Sequence, residues 1–213
     1  MEVIPAINCH RGDFRCIEQS LRKIRGFAKN GWVHVDVADG RFAFTKSGSP
    51  TDWANLRAPF ELEVHLMVEE PEKHIEAWIA VGAKRLIVHA ETLNEKTATE
   101  ILRRSAKRGI KVMLGSKPLT TTVELWPLLK HFSHFQVLAV DPGLSGQKFI
   151  HATLKKIKFL RNFAPTATIE VDGGINHETG KLAKAAGANI LVAASYILES
   201  NDPKKAYESL KKI

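Results

Sequence analysis

Cysteine is scarce in this 213-residue chain: Cys9 and Cys16 are the only two. So sparse a pair makes no disulfide framework, which excludes a small stapled secreted fold and leaves two free, inert thiols as the expectation. Apolar runs long enough to span a bilayer are also missing. The opening residues Met1-Glu2-Val3 run directly into strand-like sequence, without the charged, apolar and small-residue regions of a secretory signal. A cytoplasmic protein with no membrane partner is therefore expected. Linkers, low-complexity tracts and internal repeats are absent as well, which argues against a multidomain or repeat architecture.

What is present describes an ordinary globular protein. With 44% hydrophobic and 25% charged residues, the chain is expected to form one domain over residues 1–213. The net charge of +8 comes entirely from the second half: residues 1–106 hold 15 basic and 15 acidic side chains, residues 107–213 hold 16 and 8. Taken alone, that excess would suit nucleic acid and predict steeply salt-dependent binding. Yet Lys155, Lys156, Lys158, Lys204, Lys205, Lys211 and Lys212 fall where helices face solvent, and no basic stripe is interleaved with aromatics. A solvated surface with no nucleic-acid partner is expected.

Strand-like runs alternate with helical ones throughout. Residues 3–7, 32–37, 61–67, 85–89, 111–115, 135–140, 168–172 and 190–194 make eight strand candidates. Between them, Phe14, Ile17, Leu21, Ile24 and Phe27 trace one apolar helical stripe, and Ile150, Leu154, Ile157 and Leu160 another. Pro71 and Pro203 suit first helical positions, Asp202 and Asn176 suit N-caps, and Gly82, Gly109 and Gly187 suit helix stops. Eight βα units in one domain predict an α/β fold of the (β/α)8, or TIM, barrel type, whose chemistry gathers at the C-terminal strand ends.

Three of these strands carry side chains that a buried parallel strand should not. Alternation puts Val33, Val35 and Val37 on one face and His34 with Asp36 on the other. Likewise Glu63, His65 and Met67 oppose Leu62, Val64 and Leu66, while Glu170 and Asp172 oppose Ile169 and Val171. Polar groups on such a face must be paired, hydrogen-bonded or bound to metal. Two readings stay open: His34, Asp36, His65 and Asp172 form a divalent-metal site of mixed nitrogen and oxygen donors, or each is satisfied by a protein neighbour. Glycines follow the sixth and seventh strands, at Gly143 and Gly146 and at Gly173-Gly174, and Ser195 follows the eighth. Loops in these positions bind phosphate in many such barrels, although βα loops also favour glycine for turning alone.

At these residues the chain resembles the ribulose-phosphate 3-epimerases, nearly end to end. HVDVADGRF (34–42), VHLMVEEPEKHIEAWIAVGA (64–83), VDPGLSGQKF (140–149) and IEVDGGIN (169–176) stand in that family's order and spacing. The resemblance implies an isomerase that interconverts D-ribulose 5-phosphate and D-xylulose 5-phosphate through a metal-stabilised cis-enediolate. It implies His34, Asp36, His65 and Asp172 as ligands of one divalent ion (Zn2+, Fe2+, Mn2+ or Co2+), Asp36 as proton acceptor and Asp172 as proton donor. It further implies that Gly143, Leu144, Ser145, Gly146, Gly173, Gly174, Ala194 and Ser195 hold the phosphate, and that His65 and Asp172 also reach substrate. Family members often form oligomers, so a homo-oligomer is an open expectation with no interface identified.

Several residues depart from the family pattern. Ala6 stands where a serine usually follows Pro5, Ala38 and Leu138 replace methionines and leave Met67, Ala194 replaces a phosphate-loop glycine, and Arg41, Phe44 and Thr45 alter the loop after the second strand. These changes spare the implied ligands but alter floor and lid. Two alternatives follow: an epimerase for another ketose phosphate, such as allulose 6-phosphate, or a catalytically degenerate paralogue that binds sugar phosphate without turnover. His89 takes the inward parity with no counterpart among the family's ligands and is expected to be a bonded inner-wall histidine. Trp32, Trp53, Trp78 and Trp126 are expected in packing roles.

Overall fold

A computed structural model describes residues 1–29, 31–54, 59–144 and 146–213. The elements run β1 (Glu2–Ile7), α1 (Phe14–Arg25), β2 (Trp32–Asp39), β3 (Lys46–Ser47), α2 (Pro50–Trp53), β4 (Glu61–Met67), α3 (Ile75–Ala80), β5 (Ala83–His89), α4 (Glu95–Ala106) and β6 (Lys111–Ser116). They continue with α5 (Thr122–Leu129), β7 (His134–Leu138), α6 (Thr153–Phe163), β8 (Thr168–Asp172), α7 (His177–Ala186), β9 (Ile190–Ala193), α8 (Ser195–Leu198) and α9 (Pro203–Lys211).

Eight strands are parallel and ordered β1-β9-β8-β7-β6-β5-β4-β2, and pairing of Ala6 with His34 and Ile7 with Val35 closes β1 onto β2. The result is the (β/α)8 barrel that the alternation of runs predicts. The short β3 is an addition: it pairs antiparallel with the end of β2, Ala38 opposite Ser47, and folds the 40–45 segment back over the barrel mouth. Two polar-rich residues give no periodicity from which a strand can be read.

Strand parity divides the interior. Val33, Val35, Val64, Leu66, Val88, Leu114, Val137, Ile169, Val171 and Leu191 face outward into one apolar layer with Ile17, Leu21, Ile24, Trp78, Ile101, Ile157, Leu160 and Leu210 of the helices. Burial of each large side chain there contributes about 1.5–3 kcal/mol. The lumen has its own chemistry. Ile4, Ala6, Ile190 and Val192 make a small apolar cluster inside the barrel, whereas His34, Glu63, His65, Arg85, His89, Gln136 and Glu170 are buried polar groups. Helix ends follow the expected punctuation: Asn176 accepts from the Glu178 and Thr179 amides, Asp202 from Lys205, and Gly187 ends α7 in the left-handed conformation.

Four expectations are corrected. Cys9 and Cys16 are not free thiols but a disulfide, with their Cα atoms 6.0 Å apart. Residues 10–13 reverse the chain, and Asp13 caps α1 by accepting the Cys16 amide, which brings the first turn of α1 back against Cys9. Lys156 is not on a solvent face. Helix α6 turns residues 153, 156, 157 and 160 inward, and the Lys156 stem runs along that stripe to reach the carbonyl of Lys117 (2.5 Å) and the hydroxyl of Ser116 (3.3 Å). Trp126 is 60% exposed because α5 buries Leu125, Leu128 and Leu129, which turns its neighbour outward against Phe159 and Phe163. In α1 the buried stripe is Ile17, Leu21 and Ile24; Phe14 is half exposed, and Phe27, beyond the helix, meets Tyr207 instead.

Candidate active site

The polar side chains converge because their strands are neighbours in register. Parallel pairing sets Asp36 beside His65 across β2 and β4, and β8 carries Asp172 to the same rim. His65 Nδ1 lies 3.0 Å from Asp36 Oδ1 and 3.5 Å from Asp172 Oδ2; His34 Nε2 lies 3.4 Å and 3.7 Å from the same two oxygens. Donor atoms bound tetrahedrally at 2.0–2.2 Å stand about 3.3–3.6 Å apart, so these spacings suit a zinc-sized ion. All four donor atoms lie within 4.8 Å of one another.

Each imidazole is held from behind. His34 Nδ1 lies 2.7 Å from Glu63 Oε1, and Glu63 in turn pairs with Arg85. An ionised carboxylate only accepts, so Nδ1 carries a proton toward Glu63; Nε2 faces Asp36 and Asp172, donating to them when the ring is protonated and offering its lone pair when a cation takes that proton's place. His65 Nε2 meets His89 Nε2 at 2.7 Å, and His89 Nδ1 meets Glu91 Oε2 at 3.1 Å. The charges agree with an anion-rich pocket. Burial alone would raise Asp36, but hydrogen bonds from His34 and His65 outweigh it and hold the carboxyl well below the usual range. Burial likewise opposes charge on His34 and His65, yet Asp36 with Glu63 raises the first well above an ordinary imidazole, and Asp172 with Asp36 raises the second. His89 behaves oppositely: burial dominates and pushes it down to about 4. The four donors form a group that could hold a metal ion.

Deeper in the barrel, Glu63, Arg85, Gln136 and Glu170 form a second polar layer. Burial, reinforced by the Glu63 charge, raises Glu170 well above an ordinary carboxyl, whereas Glu63 is lowered by His34 and Arg85 against its own burial. Arg85 also lies 4.2 Å over the Trp32 ring. Strand parity puts Glu63 on the face of His65, but its role needs the strand order, which sets it beside His34.

Above the four donors opens one pocket lined by Asp36, Asp172, Gly143, Leu144, Gly146, Gly173, Gly174, Ala194 and Ser195, with Ala6, Asn8, Met67 and Leu138 on its other walls. Ser145 lies outside the described residues. His34 and His65 sit beneath this surface, fully buried. The glycines are sterically required at two points: Gly173 and Gly174 have φ of +100° and +64°, and an added Cβ would fall 2.5 Å from Val140 Cγ2 and 2.5 Å from the Phe149 backbone nitrogen. Backbone can thus approach an anionic ligand with nothing intervening. Asn8 donates to the Gly143 carbonyl at 3.3 Å and joins the loop after β1 to the loop after β7.

A sequence profile of the Ribulose-phosphate 3 epimerase family matches residues 6–198. The chain belongs to the ribulose-phosphate 3-epimerase family. It is an isomerase-class enzyme, an epimerase. Relatives include the ribulose-phosphate 3-epimerase of Schizosaccharomyces pombe, 31% identical over 205 residues that cover 94% of this chain and 89% of that protein. The Bacillus subtilis ribulose-phosphate 3-epimerase is 36% identical over 186 residues, covering 84% and 85%. Among solved structures, 3-hexulose-6-phosphate synthase from Salmonella typhimurium superposes with a TM-score of 0.73 over all of this chain and 97% of that one, at 16% identity, a likeness of fold alone. No described helix is long and apolar enough to cross a membrane.

Proposed function

We propose that this epimerase interconverts D-ribulose 5-phosphate and D-xylulose 5-phosphate by two-carboxylate proton transfer, with one divalent ion held by His34, Asp36, His65 and Asp172. The observation that carries the reading is the convergence of two carboxylates on the same two imidazole nitrogens at the floor of a glycine-walled pocket. When bound, the ion supplies Lewis acidity that stabilises negative charge developing on substrate oxygens; the donor set suits Zn2+, Fe2+, Mn2+ or Co2+.

The residues divide the remaining work. Asp36, held ionised by its imidazole partners, accepts the C3 proton, and the electrons relax into a planar cis-enediolate. Asp172 returns a proton to the opposite face, which inverts C3. In the reverse direction the roles exchange. Gly143, Leu144, Ser145, Gly146, Gly173, Gly174, Ala194 and Ser195 anchor the phosphate, fixing C3 between the carboxylates. Met67 and Leu138 line the wall beside Asp36 and limit water at the reacting carbon.

The test is isotopic. In D2O, the metal-loaded enzyme should introduce deuterium at C3 of ribulose 5-phosphate, and Asp36→Asn or Asp172→Asn should abolish turnover. Unimpaired epimerisation by both variants would falsify the assignment. A second reading has one observation behind it: Ala6 and Leu138 line the pocket and shape the room beside the substrate. It predicts a higher kcat/KM for a six-carbon ketose phosphate such as allulose 6-phosphate, and parallel assays decide. Binding without isotope exchange on either substrate would mark a catalytically degenerate paralogue.

A further inference from the structure

Behind His65 lies a chain of groups that the proposed proton transfers do not use. His89 is fully buried at the end of β5, two residues beyond Ile87, which pairs with His65 across β4 and β5. Its Nε2 stands 2.7 Å from His65 Nε2 and its Nδ1 stands 3.1 Å from Glu91 Oε2. Glu91 accepts in addition from the Lys117 amide at 2.7 Å and from the Thr120 hydroxyl. Phe42 packs its ring 4.6 Å from the His89 ring, and the Lys117 ammonium lies 3.7 Å over Phe42. Gly115, beside His89 in register, makes this possible, since a Cβ there would press to 3.0 Å from Ile87 and 3.3 Å from Gln136.

The arrangement has one consistent proton count. Two ring nitrogens 2.7 Å apart share a single hydrogen between them. A carboxylate that already takes two other donors is an acceptor toward His89 Nδ1, so that nitrogen carries a hydrogen. In the neutral His89 ring that hydrogen is the only one, and Nε2 is bare. The shared hydrogen then belongs to His65 Nε2, which leaves Nδ1, the nitrogen that faces Asp36 and Asp172, as the one that offers a lone pair when a cation displaces its proton.

We propose that His89 and Glu91 are positioning residues: they hold His65 in the tautomer whose Nδ1 binds the cation, and tie that ring to the 117–120 segment through Lys117 and Thr120. His34 has its carboxylate directly behind it in Glu63; His65 has the same device with one imidazole inserted. The inference rests on the cation reading of the site and extends it to residues that touch neither cation nor substrate. Outer partners of this kind are generally worth 10–100-fold in metal affinity.

The experiment uses the full chain, stripped with a chelator and titrated with Zn2+ or Co2+. In 1H–15N correlation spectra of the Zn2+-loaded wild type, His89 should be protonated on Nδ1 and His65 on Nε2; a His89 protonated on Nε2 would overturn the relay. Zn2+ competition against a chromophoric chelator should show affinity falling 10–100-fold in His89→Phe. His89→Gln should regain most of that loss, because its side-chain carbonyl accepts from His65 Nε2–H while its amide donates to Glu91. The visible bands of bound Co2+ should shift in the Phe variant and return in the Gln variant. Equal Zn2+ affinity in wild type and His89→Phe overturns the proposal; if the Phe variant fails to fold, the Gln variant and the wild-type spectrum decide. A wild type that takes up no Zn2+ sinks the cation reading instead, and the metal-free spectrum then judges the relay by the same His89 tautomer.

Discussion

Glu63→Gln tests whether the polar floor of the barrel supports the site. The side chain is fully buried between His34 Nδ1 and Arg85 Nε. Glutamine keeps the volume and one acceptor, but it removes the charge and turns an N–H₂ donor toward either the guanidinium or the imidazole N–H. Removing one partner of a buried ion pair costs about 3–5 kcal/mol. Glu170 moderates the loss: its Oε2 lies 4.0 Å from Arg85 Nη2, and part of its raised proton affinity comes from the Glu63 charge. Once that charge is gone, Glu170 ionises more easily and partly neutralises Arg85, so the lower end, about 3 kcal/mol, is expected. For a chain of this length each kcal/mol moves Tm by about 2–4 °C, which gives a fall of roughly 6–12 °C. Urea unfolding and thermal melts of wild type, Glu63→Gln, Arg85→Leu and the double variant measure it. The double variant should be more stable than the two single losses added together, because the surviving guanidinium is what makes the single change expensive. A Tm within 2 °C of wild type for Glu63→Gln, or strict additivity in the cycle, would refute the reasoning.

Gly174→Ala and Gly146→Ala both occupy positive φ, but an added Cβ meets the Phe149 backbone at the first site and nothing within 4 Å at the second. Melting curves should show a loss of about 2–5 kcal/mol for Gly174→Ala against about 1–2 for Gly146→Ala, and equal losses would contradict the steric account. Trp78→Ala should cost about 3–5 kcal/mol while Trp126→Ser stays within about 0.5, since one indole is fully buried and the other is 60% exposed. Lys156 is pushed down to about 8 by burial, so between pH 8 and about 10.4 the unfolded chain binds a proton that the folded chain does not, and stability rises with pH in that window. Relative to Lys156→Met, wild type should gain at most about 3 kcal/mol from pH 8 to pH 10 in urea unfolding, and parallel curves would exclude the buried-ammonium explanation.

Strand parity was the most legible feature of this chain. Buried parallel strands need apolar residues outward, so His34, Asp36, His65 and Asp172 announce themselves as exceptions that must meet something in the lumen. Their partners were less legible, because partnership depends on strand order and register. Glu63 shares parity with His65, yet it serves His34 across the β2–β4 pairing. Glu91 lies beyond its strand altogether and becomes relevant only because residues 117–120 fold down beside it. Helix α6 buries Thr153, Lys156, Ile157 and Leu160, a face rotated from the Ile150-Leu154-Ile157-Leu160 stripe that hydrophobicity alone suggests, and that rotation, set by packing, turns Lys156 inward. The disulfide depended on the path of residues 10–13, which composition does not encode.

The two imidazoles have different anchors, and this asymmetry bears on the proposed chemistry. His34 is fastened to the barrel floor through Glu63 and Arg85, an interior layer without access to solvent. His65 is fastened to the rim, through His89 and Glu91, to a loop that also touches Phe42 in the segment folded over the mouth. Asp36 bonds to both rings and takes its orientation from each. Asp172 is followed immediately by the Gly173-Gly174 turn, whose backbone has no freedom to accept side chains. In the proposed reading a phosphate on that turn would sit against the peptide next to Asp172, whereas Phe42 packs on His89, whose ring meets His65, the partner of Asp36. Asp172 is thus set mainly by the backbone turn that follows it and Asp36 by the rings that bond to it, so the proposed mechanism predicts that changes at Gly173 or Gly174 and changes at His89 disturb the two proton transfers unequally.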